Sequence, residues 1–249
     1  MKAPAAAATK HFSPGYDMLC NCCGGAEFAA KGRRPGIRCT KCHAVERTRA
    51  LRLVLEALDL PKPASRVLHF APEYGLHEWL RARAGAGYDP VDFSPSRYKW
   101  AGARKMDLTT DAEGLKSETY DLILHSHVME HIPCNTTAVL YHLHRALKPD
   151  GMQVCCIPFL PGRRYEESLE PLSEEVAAAR FGQRDHVRVF GALDAERTIG
   201  MVFNLPDYDI RKLVPEADLM KYNIPEYAWT GLSQHTILVL RKDDLKLRM

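Results

Sequence analysis

The sequence has no apolar run approaching the roughly 18 to 20 residues that cross a bilayer, which excludes a helical membrane span. It also lacks a strong charge of one sign. Thirty-four basic and 31 acidic residues leave a formal net charge of +3, which neither requires nor excludes an anionic partner. The opening Met1–Lys10 carries one early lysine and an alanine run interrupted by Pro4, too weak a pattern for a secretory signal. Residues 1–17 are expected to form a flexible tail. Eight cysteines are present but not in the spread of a disulfide framework, because five of them crowd between positions 20 and 42. That crowding favours metal ligation in a reducing compartment, hence a cytoplasmic protein. The 249 residues suffice for one α/β core and a small accessory module.

Cys20 and Cys23 form one CxxC, Cys39 and Cys42 another, with fifteen residues between the pairs. Each knuckle sets two thiolates on one ion, and two knuckles complete a closed tetrahedral sphere. Gly24-Gly25 supplies the backbone freedom that the first knuckle requires. The four cysteines are therefore candidate ligands of a structural zinc ion in a ribbon over residues 18–45. Cys22 and His43 stand beside them and are read as neighbours rather than ligands. The loop Lys31–Arg38 is basic, but no aromatic platform accompanies it, which favours a solvated loop over a nucleic-acid contact. Helical apolar spacing follows over Val45–Leu58, running into a linking segment 46–64 that would set the ribbon as a wall beside the main domain.

Beyond residue 65 the pattern alternates strand and helix. Arg66–Phe70 reads as a strand, Ala71–Gly75 as a turn and Leu76–Ala82 as a helix, with Asp89 and Asp92 about twenty residues past the turn. Asp107 follows, then the strand-like run from Tyr120, a helix over Leu143–Lys148 stopped by Pro149 and Gly151, and a strand Met152–Ile157. In a doubly wound parallel sheet a ligand lies across the carboxyl ends of the strands, and a carboxylate after the second strand can hold a ribose. Asp92 has that place, with Asp89 as the alternative. Asp107 follows the third strand.

From Ser65 to Pro158 these features resemble the class I methyltransferases that use S-adenosylmethionine, most closely the branch reading "HVxEHI … LxRxLKPxG", here His127–Ile132 and Leu143–Gly151. The CxxC pairs followed by Glu46-Arg47-Thr48-Arg49 are also similar to the opening of one group of bacterial methyltransferases. The resemblance implies an α/β fold, doubly wound and Rossmann-like, with a mostly parallel seven-stranded sheet over residues 65–249 and a substrate-wall insertion at about 158–192. It implies Asp92 on a ribose, Asp107 at an adenine edge and His127 beside the cofactor. The departure is in the first turn, where His69 stands in the usual acidic position and Ala71-Pro72-Glu73-Tyr74 replaces the glycines. Glycine permits positive φ and close approach, so this turn follows another path, with Glu73 and Gly75 at the methionine end.

Methyl transfer from a sulfonium is an in-line displacement, and a hydroxyl acceptor additionally needs a base. One candidate cluster is His125, His127, Glu130 and His131, where strand alternation would put His125 and His127 on one side. His127 and His131 either take part in the chemistry or serve as caps and cofactor lining. A second cluster lies in Phe181–Gly191: Asp185 would orient His186 as a base, Arg188 would hold an acidic substrate group, and Gln183 stands beside them. A salt-bridged helix start is the plain alternative there. Leu193–Phe203 reads as a helix, and Gln234–Lys242 as the last, antiparallel strand. Between them, Tyr227 on the loop Asn223–Gly231 would wall the substrate pocket. The expected function is methyl transfer from S-adenosylmethionine to an oxygen, nitrogen or sulfur of a small, acidic metabolite. Two other classes stand beside it: an RNA or protein methyltransferase docking through the ribbon and Arg33-Arg34, and a non-catalytic binding module whose first turn has lost the cofactor.

Overall fold

The computed structural model describes residues 18–247, and the expected tail lies outside the described residues. The chain enters an antiparallel hairpin, β1 (Phe28–Lys31) and β2 (Arg34–Cys39), and then the helix α1 (Glu46–Ala57). Next come β3 (Val67–Phe70), α2 (Tyr74–Ala84), β4 (Tyr88–Asp92), β5 (Arg104–Lys105), β6 (Tyr120–Ser126), α3 (Thr136–Arg145) and β7 (Leu147–Cys156). All four residues of β3 are buried, as a strand covered on both faces requires. The helix α3 starts where the Asn135 side chain accepts the Thr137 N–H, and its Val139, Leu140 and Leu143 enter the core.

The next segment forms β8 (Phe159–Leu160), β9 (Glu166–Glu167), α4 (Glu174–Phe181) and β10 (Arg188–Gly191). The three strands make a small separate sheet in the order β8-β10-β9. Gly191 is required there, because a Cβ would fall 2.4 Å from the Arg163 carbonyl oxygen. The short helices α5 (Ile199–Val202) and α6 (Glu216–Lys221) precede the last strand, β11 (Ile237–Arg241).

The main sheet runs β11-β7-β6-β3-β4-β5, parallel except for β11. It is an α/β sheet of the doubly wound kind, with six strands among the described residues where the resemblance implied seven. Residues 199–236 contain Pro206, Pro215 and Pro225 and fold as short helices and turns, so no seventh strand joins the sheet there. The single helix expected over Leu193–Phe203 is broken for a local reason. Thr198 leaves helical geometry, and its hydroxyl donates to the Asp194 and Ala195 carbonyls. Apolar side chains of α1, α2 and α6 pack on one face of the sheet, and those of α3 and α5 on the other. No helix among the described residues is long and apolar enough to cross a membrane.

Candidate functional site

Cys20, Cys23, Cys39 and Cys42 present four sulfurs within 4.8 Å of one another. Cys20–Cys42 and Cys23–Cys39 are each 3.5 Å apart, far beyond the ~2.05 Å of a disulfide. They approach the roughly 3.8 Å edge of a tetrahedron built on ~2.3 Å metal–sulfur bonds. The donor set therefore fits a zinc-type ion. Backbone bonds close both knuckles: Gly24 N–H donates to the Cys20 carbonyl and His43 N–H to that of Cys39. Cys22 is not among the four clustered sulfurs; its thiol lies beside that of Cys20, and it packs on the first turn of α2. A Cβ on Gly75 would lie 3.0 Å from Ala44 and 3.2 Å from the Cys22 Cβ. Beneath the sulfurs the fully buried Arg49 donates to the carbonyls of Ile37 and Ala44, and to those of Tyr222 and Asn223 across the joint.

At the carboxyl ends of β3 and β4, Ala71 takes φ +47, the left-handed region that glycine normally fills. Glu73 then opens α2, its carbonyl accepting the Leu76 and His77 N–H groups. One carboxylate oxygen of Glu73 lies 3.0 Å from His69 Nε2, while the other, Oε1, is buried without a partner. On its far side His69 Nδ1 lies 3.0 Å from the Tyr88 hydroxyl, which burial pushes to a high pKa. Asp92 ends β4 and accepts the Ser94 N–H at 2.7 Å. Asp107, just past β5, accepts the backbone N–H and the hydroxyl of Thr109. Each carboxylate is thus oriented by its own turn.

The third group of residues gathers where β6 ends. His127 leaves the strand at φ +55, with Nε2 3.0 Å from the Gln234 carbonyl oxygen and Nδ1 3.3 Å from Glu130 Oε1. Glu130 is 1% exposed, and its Oε2 has no partner. Burial alone would raise that carboxyl, but the hydrogen bond from His127 and the charges of His127 and His131 outweigh it and carry it down. His131 and His186 meet edge to face with ring centroids 4.6 Å apart, and His186 Nε2 is buried without a partner. Burial lowers the His186 pKa against the opposing charge of Glu130. A cavity of about 130 Å³ opens here, lined by His127, Glu130, Gln183, His186 and Gln234 among others. A larger hollow of about 540 Å³ lies by Arg66 and Thr119, at the amino ends of β3 and β6 and away from these groups.

Residues 43–197 match the family described as a methyltransferase domain, well over half of the chain. The chain belongs to that family. No curated protein matches it. Among solved structures, it resembles an S-adenosylmethionine-dependent methyltransferase from Mesorhizobium loti at 19% identity, covering 47% of this chain and 55% of that one, with a TM-score of 0.39. It also resembles one from Thiobacillus denitrificans in complex with S-adenosyl-L-homocysteine, at 20% identity, covering 52% and 53%, with a TM-score of 0.34. The chain spans about half the length of these two structures.

Within this methyltransferase domain several sequence expectations need correction. Arg188 is not a free substrate clamp: it is fully buried, and its guanidinium donates to the carbonyls of Met129, Ile132 and Cys134 and to the Glu167 carboxylate. Asp185 does not orient His186. Its carbonyl and carboxylate oxygens lie 3.1 and 3.4 Å from His131 Nδ1, because the turn before β10 directs the two neighbouring side chains apart. Gly75 serves the close approach of Cys22 and Ala44. Asp89 is held by Arg104, at 2.7 Å, in the first half of β4, which leaves Asp92 alone at the carboxyl end. His125 and His127 do not share a strand face, since His125 is buried inside β6 against Gln153 and His127 lies past its end. Tyr227 meets His235 at a tilt, with ring centroids 5.1 Å apart, and is not among the residues lining the small cavity. Sequence reasoning missed Arg49, Glu167 and Gln234. Arg49 stands between Arg47 and Arg52 on the same helix, so the local sequence did not single it out as the arginine that turns inward.

Proposed function

We propose that this protein binds S-adenosylmethionine across the carboxyl ends of β3, β4 and β5 and directs its methyl group to a small acceptor seated in the cavity beside His127. When bound, the cofactor supplies an electrophilic methyl on a sulfonium. The observation that carries the reading is the buried, unpartnered Glu73 Oε1 on the turn next to Asp92. A buried carboxylate oxygen without a donor is costly, and the cofactor's ammonium is a donor that would relieve the cost. Glu73 thereby takes the part of the acidic residue absent at position 69. Asp92 would accept the ribose hydroxyls and Asp107 would meet the adenine edge.

At the acceptor end, the ring of His127 stands at the cavity wall with Nε2 on the Gln234 carbonyl and Nδ1 facing Glu130, so it would line and orient the acceptor, and any proton it handled would pass through the Nδ1–Glu130 contact. Gln183, exposed and on the same wall, would contact the acceptor. The cavity's size favours a small molecule over a polymer. With Arg188 tied to carbonyls and Glu167, the case for an acidic acceptor loses its cation. An RNA-docking role for the hairpin is also weakened, because Arg34 is paired with the buried Glu46. The four-cysteine cluster would hold zinc structurally, and a chain with eight free thiols suits the reducing cytoplasm.

Calorimetric titration of zinc-replete protein with S-adenosylmethionine and with S-adenosylhomocysteine tests the reading. Micromolar binding, about −8 kcal/mol, is expected for both. Asp92→Ala should abolish it with zinc content unchanged, and retained affinity would reject the ribose assignment.

A further inference from the structure

We infer that Glu130, His131 and His186 form a second metal site, open to the acceptor cavity and distinct from the four-cysteine cluster. One ligand-type atom from each of the three residues lies within 4.8 Å of the others. The set is two imidazoles and one carboxylate, the donor combination that holds divalent first-row ions such as Zn²⁺ or Mn²⁺ while leaving coordination positions free.

Three independent features point to a cation. Glu130 is 1% exposed, yet its Oε2 has no partner, and a buried carboxylate oxygen without a donor is a costly arrangement. His186 Nε2 is likewise buried and unpartnered. His131 carries the outer-shell contact typical of a metal-bound imidazole: its Nδ1 lies 3.1 Å from the Asp185 carbonyl oxygen, so this nitrogen bears the proton and Nε2 keeps its lone pair. His127 extends the pattern. Its Nε2 must donate to the Gln234 carbonyl, which turns Nδ1 toward Glu130 Oε1 at 3.3 Å.

The scaffold is rigid in the way a metal site requires. Val187 N–H donates to the Glu130 carbonyl, joining the turn after β6 to the start of β10. Arg188 bonds the carbonyls of Met129, Ile132 and Cys134, which fixes the loop bearing Glu130 and His131 from both sides. Arg188 is therefore a positioning residue. The open positions would take oxygen atoms of the acceptor, such as a hydroxyl beside a second hydroxyl or a carboxylate. That acceptor class rests on the methyl-transfer reading, whereas metal binding itself does not.

The test uses full-length protein whose cysteine cluster is already loaded with zinc. Mn²⁺ is added alone, free ion is followed by electron paramagnetic resonance, and additional Zn²⁺ is followed by calorimetry. Saturable binding of one extra ion per chain is expected, weakened at least tenfold in Glu130→Gln and His186→Ala and unchanged in His43→Ala. Because Glu130 is buried, His131→Ala, at a partly exposed position, is the second variant, with circular dichroism and cysteine-bound zinc reporting that each variant is folded. Absence of any saturable Mn²⁺ or Zn²⁺ beyond the cysteine-bound equivalent would overturn the assignment, as would binding unaffected by the three ligand substitutions. S-adenosylmethionine titration without added metal reads the cofactor site separately, so either assignment can fail without the other.

Discussion

Two arginines, Arg49 and Arg188, are the largest fully buried side chains among the described residues, and each lies beneath a cluster of ligand-type residues. Arg49 ties the cysteine hairpin to the segment after α6 through four backbone carbonyls and meets no carboxylate. Arg188 ties the turn after β6 to the small sheet through three carbonyls and Glu167. The difference lies in where the counter-charge resides. Burial lowers the Arg49 pKa, and charge on Cys20, Cys22, Cys39 and Cys42 opposes that shift, so its neutralisation depends on the thiolates. A zinc ion with four thiolates carries a net charge of about −2, which suits the arginine beneath it. Arg188 has its anion in Glu167, whatever occupies the neighbouring histidines. One joint is predicted to depend on its metal and the other to stand without one.

The strongest way to break the comparison is to remove the metal from the hairpin. Structural zinc sites contribute on the order of 10 kcal/mol to small folds, and the hairpin has only a small apolar cluster of its own. Chelation is therefore expected to abolish amide protection across β1 and β2 while the β3–β6–β7 core keeps its protection. Hydrogen exchange measures both. Equal loss throughout would show that the hairpin and the sheet unfold together.

The two arginines themselves come next. Removing a buried, fully bonded charge costs about 3–5 kcal/mol, and orphaned carbonyls contribute to that cost. Arg49→Met and Arg188→Met should each lower the unfolding free energy by such an amount in zinc-loaded protein, read from the urea midpoint and slope. After chelation the Arg49 effect should shrink, because its hairpin carbonyls are already free, and the Arg188 effect should persist. A cycle of variant and chelator measures the coupling. The same cost in both metal states would remove the dependence assigned to Arg49.

The two joints also differ in how far the sequence disclosed them. The cysteine cluster was legible because its ligands sit in two local CxxC turns, and sequence spacing alone brings each pair together. Asp92 was legible for a similar reason, since a strand and its end are local features. The corner around Glu130 joins residues more than fifty positions apart, and their meeting depends on β10 inserting between β8 and β9. Adjacency therefore misled at Asp185-His186-Val187-Arg188. The short segment looked like an acid, a base and a clamp, yet its side chains face different neighbours and Arg188 goes wholly inward. The replaced first turn was visible as an anomaly, but only the fold shows that Glu73 reaches His69 from the helix side.

Acid should strain both regions through different histidines. His235 lies 3.2 Å from Glu46 on the hairpin side, and His125 lies inside β6; burial leads the causes that push each down to about 4. Unfolded, each titrates near 6.5. Their stabilising contribution is complete above pH 6.5 and is lost as the pH falls from 6.5 toward 4, since the unfolded chain takes up the proton first. The slope is about 1.4 kcal/mol per pH unit for each group. Urea midpoints measured between pH 7 and 5 should fall accordingly, and His125→Asn and His235→Asn should each flatten the fall by one group's share. An unchanged slope in either variant would mean that the histidine is charged in the native protein.

The smallest effect concerns the turn that sets the cofactor cleft apart from both joints. Ala71 at φ +47 carries a left-handed strain of about 1–2 kcal/mol that glycine avoids. Glycine gives back part of this, roughly 0.5–1 kcal/mol, through the greater freedom of the unfolded chain. Ala71→Gly should therefore raise stability by up to about 1 kcal/mol, with the Ala71 N–H still donating to the Val91 carbonyl. If the strained alanine holds Glu73 in place beside His69, the same substitution should weaken S-adenosylmethionine binding even as the fold gains stability. A gain in both would show that the turn is held by the Glu73–His69–Tyr88 hydrogen bonds alone, and that position 71 contributes only strain.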